Sequence, residues 1–162
     1  MKCLDCNKEM KLVVENRRYK ESGLDNITLI DIKKYVCNSC GEEYIGIPNA
    51  MDLHRLIANT LIQNPKRLSG KEFRFLRKSL GYSGEFFAKI VGVSRETISR
   101  WENEKLSLPK HMDLLMRSLV VNNEPDRNYD FHDLILKNKG QKFTRFKIGI
   151  KRSGEWEVKE AA

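Results

Sequence analysis

The chain has 162 residues, a formal net charge of +8 and 40% apolar residues. This length suits one ordinary domain or two small ones, and no apolar run approaches the roughly 18 residues of a membrane span. The start, MKCLDC, lacks a signal-peptide pattern, so we expect a cytoplasmic protein with no membrane partner.

The basic excess is concentrated in one part of the chain. Residues 66–121 carry twelve basic and six acidic side chains, whereas residues 1–46 carry eight of each and residues 122–162 carry nine and seven. Because phosphates attract clustered positive charge, this distribution predicts a nucleic-acid-binding surface within residues 66–121.

All four cysteines lie in the first 40 residues, as the pairs Cys3-x-x-Cys6 and Cys37-x-x-Cys40. In a cytoplasmic protein such pairs indicate a metal site rather than disulfides. Four thiolates complete a tetrahedral site for one Zn²⁺ per chain, with no position open for water, so we expect the zinc to be structural. A redox dithiol or two unrelated pairs is the alternative.

The zinc-binding module, residues 1–47, is also predicted to contain a small sheet. Lys11–Tyr19 and Ile27–Cys37 are strand-like because they are rich in alternating and β-branched residues. Asn7 and Gly41 each follow a cysteine pair and suit the left-handed conformation that a tight turn requires.

Residues 48–65 are predicted to form a linker helix. Asn49 is the expected N-cap, and the helix extends to about Gln63. The helix is either a rigid spacer or the first layer of the second domain's core, and we favour the second interpretation. The residues expected on its apolar face are Leu53, Leu56, Ile57 and Leu61.

Residues 66–121 have the pattern of a helix-turn-helix domain. Ser69 and Glu72 are placed as a capping box for one helix, which Gly81 ends, and Ser83 caps the next. The residues predicted to face inward are Phe73, Leu76 and Leu80 in the first helix and Phe87, Ile90 and Val91 in the second.

A third helix in this domain is predicted to lie in the major groove of DNA. Gly92 supplies the preceding turn, Ser94 is the N-cap, and Ile98 and Trp101 form the inward stripe. A small amphipathic helix with a solvated face is the alternative for this stretch alone. The candidate DNA-binding residues are Arg95, Glu96, Thr97, Ser99, Arg100 and Asn103 on this helix, with Ser83 and Lys89 before it.

Three of these side chains suit particular bases. Arg100 can donate to O6 and N7 of guanine, Glu96 can accept from N4 of cytosine, and Thr97 can contact the methyl group of thymine. Such contacts would make the binding of double-stranded DNA sequence-specific.

Two features of this domain leave alternatives open. Glu102 can pair with Arg77, either as a buried ion pair that fixes the angle between helices or as an exposed pair of little consequence. The helix over residues 108–121 serves either a twofold dimer interface or packing within the domain. Its apolar residues are Leu108, Met112, Leu115 and Leu119.

Residues 122–162 are expected to form a separate C-terminal extension. A linker and a short helix over Phe131–Leu136 precede a β-hairpin, whose strands contain alternating apolar residues around Ile148 and Trp156. The hairpin is either an arm that contacts DNA or a partner, or an appendage packed on the main domain, and we favour the appendage.

Residues 69–121 resemble the Cro/repressor-type helix-turn-helix domain, in the pattern LRKSLGYS…FAKIVGVSRETISRWEN. One departure is Gly84, where that family often has a glutamine that binds a backbone phosphate. The expected fold class is α+β: a small zinc-bound β-rich module, then an all-α Cro/repressor-like domain, with a C-terminal β-hairpin appendage.

The combination CxxC…CxxCGEEY with a Cro-type domain resembles the MqsA family of antitoxins, whose N-terminal zinc finger is of the YgiT type. The resemblance implies a structural zinc on the four cysteines, a toxin-binding N-terminal half, and a homodimeric C-terminal half that represses its own operon. The family's two base-reading positions correspond to Glu96 and Arg100. Arg100 keeps the family's residue type and Glu96 does not, which implies a different operator.

The sequence therefore predicts an antitoxin that neutralises a cognate toxin and binds a palindromic operator as a repressor. A stand-alone regulator of the same DNA-binding type is the alternative, followed by a zinc module that binds RNA or protein. We expect no enzyme, because the sequence shows no catalytic cluster and no open metal site.

Overall fold

The computed structural model describes residues 1–122 and 145–161. The expected linker beyond Asn122 and the expected helix at Phe131–Leu136 lie outside the described residues. Within them the chain forms two compact units. The β unit contains residues 1–20, 25–53 and 145–161, and the helical unit contains residues 21–24 and 54–122.

The fold is α+β, as predicted, with an N-terminal sheet, a helical domain and C-terminal strands. The strands are β1 (Lys11–Arg18), β2 (Ile27–Val36), β3 (Glu43–Ile45), β4 (Phe146–Ile150) and β5 (Trp156–Ala161). The helices are α1 (Ala50–Gln63), α2 (Gly70–Ser79), α3 (Gly84–Val91), α4 (Arg95–Glu102) and α5 (Lys110–Asn122), with one 3-10 turn at Lys20–Ser22.

The five strands form one sheet around β2. Strand β1 pairs antiparallel with β2, from Lys11 opposite Val36 to Arg18 opposite Thr28, with a bulge after Glu15. Strand β3 pairs antiparallel with the second half of β2. Strands β1 and β2 end within one residue of their predicted bounds, because alternation along these segments matches a sheet with one buried face.

The C-terminal hairpin is part of this sheet. Strand β4 runs parallel to the first half of β2, with Ile27 opposite Phe146 and Leu29 opposite Ile148, and β5 pairs antiparallel with β4. The sequence predicted a C-terminal extension whose hairpin packs as an appendage on the main domain, and in the structure the hairpin strands join the N-terminal sheet. The hairpin strands complete the sheet of the N-terminal module, because β2 would otherwise leave this edge unpaired.

The buried face of the sheet shows why the hairpin belongs there. The indole of Trp156 is 7% exposed, and its Nε1–H donates to the carbonyl oxygen of Pro48 at 3.0 Å. This bond ties the hairpin to the chain that leaves the N-terminal strands. The buried side chains that the two halves of the sheet contribute are Ile27, Leu29, Ile32, Phe146, Ile148 and Trp156.

Local signals set the helix ends of the helical unit. Ser69 and Glu72 form the predicted capping box at the start of α2. Gly81 adopts φ 77°, which allows its N–H and that of Tyr82 to bond to the last carbonyl groups of α2. Ser83 caps α3 through the N–H of Phe86, as predicted.

An aromatic cluster forms the core of this unit. The ring of Phe73 on α2 meets those of Phe87 on α3 and Trp101 on α4 edge-on, at centroid distances of 5.8 and 6.2 Å. Such arrangements favour packing of three helices around one central ring. Buried residues that α2 to α5 and the turn before α5 add to this core include Leu76, Ala88, Ile98, Leu108 and Met116.

One expectation about this core was wrong. Ile90 is 50% exposed, because the inward face of α3 is centred on Phe87 and Ala88 and Ile90 lies more than a quarter turn from it. The core also contains a residue outside the predicted stripe of α2: Phe75 is buried, and its ring meets that of His54 edge-on at 5.7 Å. Helix α2 is thus buried on two sides.

Helix α5 is held by a buried polar network. Arg117, 2% exposed, pairs with Asp113 at 3.0 Å and donates to the carbonyl oxygens of Ile62, Asn64 and Lys66. Asp113 also accepts from the N–H of Leu68 at 2.8 Å. The pair therefore satisfies the backbone of the irregular segment between α1 and α2. Of the apolar residues of α5 and the turn before it, Leu108 and Met112 are buried, and Leu115 and Leu119 are half-buried.

Gly70 at the start of α2 lies where another side chain would not fit. A Cβ atom there would come within 2.4 Å of the carbonyl oxygen of Trp101 and 2.6 Å of that of Glu102. We therefore predict that Gly70→Ala lowers the free energy of unfolding by about 1–3 kcal/mol, because the clash is with backbone. Denaturant unfolding followed by circular dichroism measures this.

The matched control is Gly84→Ala at the corresponding first position of α3. A Cβ atom there meets nothing within 4 Å, so the substitution is expected to be neutral or slightly stabilising. Equal stabilities of the two variants would contradict the packing of α2 against the end of α4.

Candidate DNA-binding surface and cysteine cluster

A tight turn and an N-cap residue fix the start of helix α4. Gly92 adopts φ 70°, and Ser94 then takes an extended conformation as the N-cap. The hydroxyl oxygen of Ser94 accepts from the N–H of Thr97 at 3.1 Å and lies 3.1 Å from the Thr97 hydroxyl. The N-cap predicted from the sequence is confirmed.

The inward and outward faces of α4 are as predicted. Ile98 is 1% exposed and Trp101 is 4% exposed, which anchors the helix in the core. Thr97 is half-buried beside Ser94. The remaining candidate base-reading residues are exposed: Arg95, Glu96, Ser99, Arg100 and Asn103.

Hydrogen bonds within the first turn of α4 hold the carboxylate of Glu96. Its own N–H donates to the carboxylate, the Ser94 hydroxyl adds a second hydrogen bond, and Arg95 and Arg100 lie nearby; together they lower the pKa of Glu96. The carboxylate is therefore charged and already has donors within the chain. To accept from a base, it must exchange these bonds.

Asn103 is also engaged within the helix. Its Nδ2 donates to the carbonyl oxygen of Ser99 at 2.8 Å and approaches the Ser99 hydroxyl at 3.3 Å. The Asn103 side chain thus closes the last turn of α4. Arg95 and Arg100 are both exposed, and neither has such an internal contact among the described hydrogen bonds.

A cleft of about 350 Å³ lies between the start of α3, α2 and α4. Its charged lining residues are Arg74, Arg77, Glu85, Arg95 and Glu102, and Ser83 and Gly84 line it at the start of α3. Arg77 is held by Glu102, so Arg74, Arg95 and the N-terminal amides of α3 are the groups that would stabilise a phosphate here, against the two carboxylates. Sequence reasoning singled out Ser83 and Arg95 but placed Arg74 only within a general basic stretch.

The other candidate phosphate contact, Lys89, is paired on its own helix. Its ammonium lies 3.0 Å from the carboxylate of Glu85, one turn earlier, and both side chains are well exposed. The ion pair with Lys89, reinforced by Arg95, lowers the pKa of Glu85. Lys89 can reach a phosphate only by leaving Glu85.

A buried ion pair fixes α4 against α2. Glu102 accepts from Arg77 at 2.6 Å, and both side chains are less than 10% exposed. Arg77 also donates to the carbonyl oxygen of Tyr82, and Arg74 approaches Glu102 at 3.7 Å. Of the two alternatives for Glu102 and Arg77, the structure shows the buried one.

The four cysteines come together in the β unit. Every Sγ lies within 4.8 Å of every other, and the closest pairs, Cys3–Cys40 at 3.5 Å and Cys6–Cys37 at 3.3 Å, each join the two knuckles. Four sulfurs at about 2.3 Å from one tetrahedral ion would lie about 3.8 Å apart. The cluster therefore has the size of a four-thiolate metal site.

The two knuckles have the same backbone geometry. The N–H of Asn7 donates to the carbonyl oxygen of Cys3, and that of Gly41 donates to Cys37, at 3.0 and 2.9 Å. Asn7 and Gly41 have φ values of 57° and 78°, as the sequence predicted. Each turn thereby directs two thiols toward the same point.

Without a cation the cluster favours thiolate at one position only. The N–H groups of Cys40 and Ser39 point at the sulfur of Cys37, and with the neighbouring Cys6 they lower the pKa of Cys37 to about 6, whereas contacts with the neighbouring thiols raise the pKa of Cys6 and of Cys40. Four thiols this close can all become thiolates only around a cation, which fits a metal site. Met10, Tyr35 and Tyr44 pack around the cluster and shield it.

Comparison with known proteins finds a family match for residues 73–110. The helix-turn-helix family model HTH_3 matches residues 73–110, which include α3 and α4. These residues form a Cro/C1-type DNA-binding domain of the kind found in transcription regulators. No curated protein and no solved structure matches the chain significantly. Within residues 1–122 and 145–161, no helix has the length and apolar character needed to cross a bilayer.

Proposed function

We propose that this protein is an antitoxin and a sequence-specific repressor of its own operon. The observation that carries the DNA-binding part is the polar outer face of α4, presented on a helix whose Ile98 and Trp101 are locked in the core. The antitoxin part is supported by the cysteine cluster that precedes this domain in the chain.

In the proposed complex, two copies present their α4 helices to successive major-groove turns of a palindromic operator, roughly 34 Å apart. Arg100 reads guanine, and Glu96, Thr97 and Arg95 contact neighbouring base edges, with Ser99 and Asn103 at the rim. The start of α3 with Ser83, together with Lys89, holds phosphates. Such contacts set the register in which base edges are read.

The cysteine cluster is proposed to hold one structural Zn²⁺ through Cys3, Cys6, Cys37 and Cys40. Four protein ligands leave no coordination position for substrate, so the ion would supply only cross-linking of the two knuckles. The chain's own contribution is the pair of matched turns and the N–H groups that stabilise thiolate at Cys37. This small β unit would gain much of its stability from the metal.

The β unit is also the proposed site for a cognate toxin protein. Two of its apolar side chains near the first knuckle, Met1 and Leu4, are 59% and 80% exposed and are available to a partner. A stand-alone regulator without a toxin is the second candidate. It is favoured by the restriction of the family match to residues 73–110.

Arg100→Ala tests the base-reading assignment. We predict a loss of about 1–3 kcal/mol in operator affinity and relaxed preference at one base pair, because a bidentate contact to guanine is removed. Gel-shift titrations against the operator and single-base variants of it measure both effects. Undiminished and still selective binding would refute the assignment.

Lys89→Ala serves as the matched comparison. A phosphate contact carries no sequence information, so this variant should weaken binding to all sequences about equally and reduce the slope of log affinity against log salt by about one. Arg18→Ala, on an exposed position of β1, should change neither quantity.

Native mass spectrometry of the full chain tests the zinc site. We predict one zinc per chain, and Cys40→Ser should lose most of the bound metal because a tetrahedral site then lacks one thiolate. Ser39→Ala, which leaves all four thiols, should keep it. Four freely alkylated thiols in freshly purified wild-type protein would contradict the proposal.

Co-purification tests the antitoxin role. The full chain, expressed with the product of the adjacent reading frame, should form a stable complex that withstands gel filtration. Leu4→Asp should release that partner while leaving DNA binding intact. A chain that binds its operator but retains no neighbouring product would instead be a stand-alone regulator.

A further inference from the structure

Helix α3 carries an apolar surface that neither the core nor the DNA-binding surface explains. Phe86 and Ile90, one turn apart, are 53% and 50% exposed. The ring of Tyr82 lies beside that of Phe86, at a centroid distance of 5.8 Å, and extends the surface. We call Tyr82, Phe86 and Ile90 the α3 patch. Adjacent half-exposed apolar residues of this size mark a protein contact.

The side of α3 that faces the core is fully packed by other residues of the helical unit. Phe87 and Ala88 are buried, and the Phe87 ring is covered by Phe73 and Tyr82. The α3 patch therefore lies on the outer side of the helix. Its exposure reflects a surface available to another molecule rather than an unfilled core.

The charges beside the patch suit a second copy of the same helix. Glu85 and Lys89 form a stripe next to Phe86 and Ile90, with opposite charges one turn apart. When two such helices meet antiparallel about a twofold axis, Phe86 of one copy faces Ile90 of the other. Glu85 of each copy then faces Lys89 of the other, so the stripe is self-complementary.

We propose that the α3 patch is an interface between two copies of this chain, packed as antiparallel α3 helices. Apolar contact between Phe86 and Ile90 supplies the attraction, and the Glu85 and Lys89 stripes fix the antiparallel direction. The inference deepens the proposed function, because it rests on two copies acting together, but it does not depend on DNA binding itself.

The small area of the α3 patch limits the affinity between two copies. The three partly exposed side chains of the α3 patch cover far less than the roughly 800 Å² per partner of a stable interface. The contact is therefore weak, and we expect free chains to pair only at high protein concentration.

Charge reversal tests the antiparallel pairing without DNA. Glu85→Lys places lysine opposite Lys89 of the other copy, and Lys89→Glu places glutamate opposite Glu85. Each variant alone should self-associate about tenfold more weakly than the wild type in sedimentation equilibrium. An equimolar mixture of the two should recover wild-type affinity, because opposite charges then face each other at both positions.

Apolar variants test the patch itself. Phe86→Ser should weaken self-association at least tenfold while leaving the unfolding temperature nearly unchanged, since the side chain is half-exposed. Val14→Ser, at a residue of the β unit that is 56% exposed, is the matched control and should change neither quantity.

Two outcomes would overturn the inference. One is a wild-type chain whose mass stays that of a monomer at the highest attainable concentration, which would assign the patch to another partner. The other is association that the mixture of charge variants does not restore or that Phe86→Ser does not weaken. Neither outcome touches base reading by Arg100, whose failure would show separately as unaltered operator binding by Arg100→Ala. Lys89 takes part in both proposals, so its place in the interface is tested by self-association without DNA and its phosphate contact by the salt dependence of operator binding.

Discussion

The DNA-binding surface depends on the carboxylate of Glu102. This group lies at the end of α4 and accepts from Arg77 of α2, while Arg77 also holds the carbonyl oxygen of Tyr82 in the turn before α3. One buried charge thus links three consecutive elements of the helix-turn-helix. A buried ion pair adds little net stability compared with apolar packing, but it admits few alternative geometries. Its role here is to fix the direction in which α4 presents Arg100.

The same principle recurs at Arg117. The three carbonyl oxygens that it binds lie at the end of α1 and in the segment that leads to α2, where the helical hydrogen-bond pattern stops. The guanidinium carries five N–H donors in one plane, against three on an ammonium group, so it can serve the three carbonyl oxygens and the Asp113 carboxylate together. Helix α5 thereby determines the path of the chain into Ser69, where α2 begins. Arg117 and Glu102 together define the frame on which the exposed side chains of α4 are carried.

Features that depend on neighbouring residues could be predicted from the sequence. The caps at Ser69, Ser83 and Ser94 and the turns at Asn7 and Gly41 follow from local chemistry, and the structure contains all of them. The parallel pairing of β4 with β2 could not be predicted, because it joins segments more than 100 residues apart and alternation does not identify a strand's neighbour. The sequence analysis also placed Ile90 in the core. A helix of eight residues makes only about two turns, so the spacing of its apolar residues does not fix which side is buried. The internal bonds of Glu96 and Asn103 were missed because they require side-chain positions.

The β unit can be completed only after the helical unit has been synthesised, because its strands come from both ends of the chain. The β unit is discontinuous in sequence: its first strands precede the helical unit and its last two strands follow it. Its core needs Phe146, Ile148 and Trp156 as well as Ile27 and Leu29. The cysteine cluster can form from residues 1–47, but the sheet beside it is complete only after the helix-turn-helix has been synthesised. A metal-bound N-terminal segment would therefore present an unpaired edge of β2 until the C-terminal strands have been synthesised.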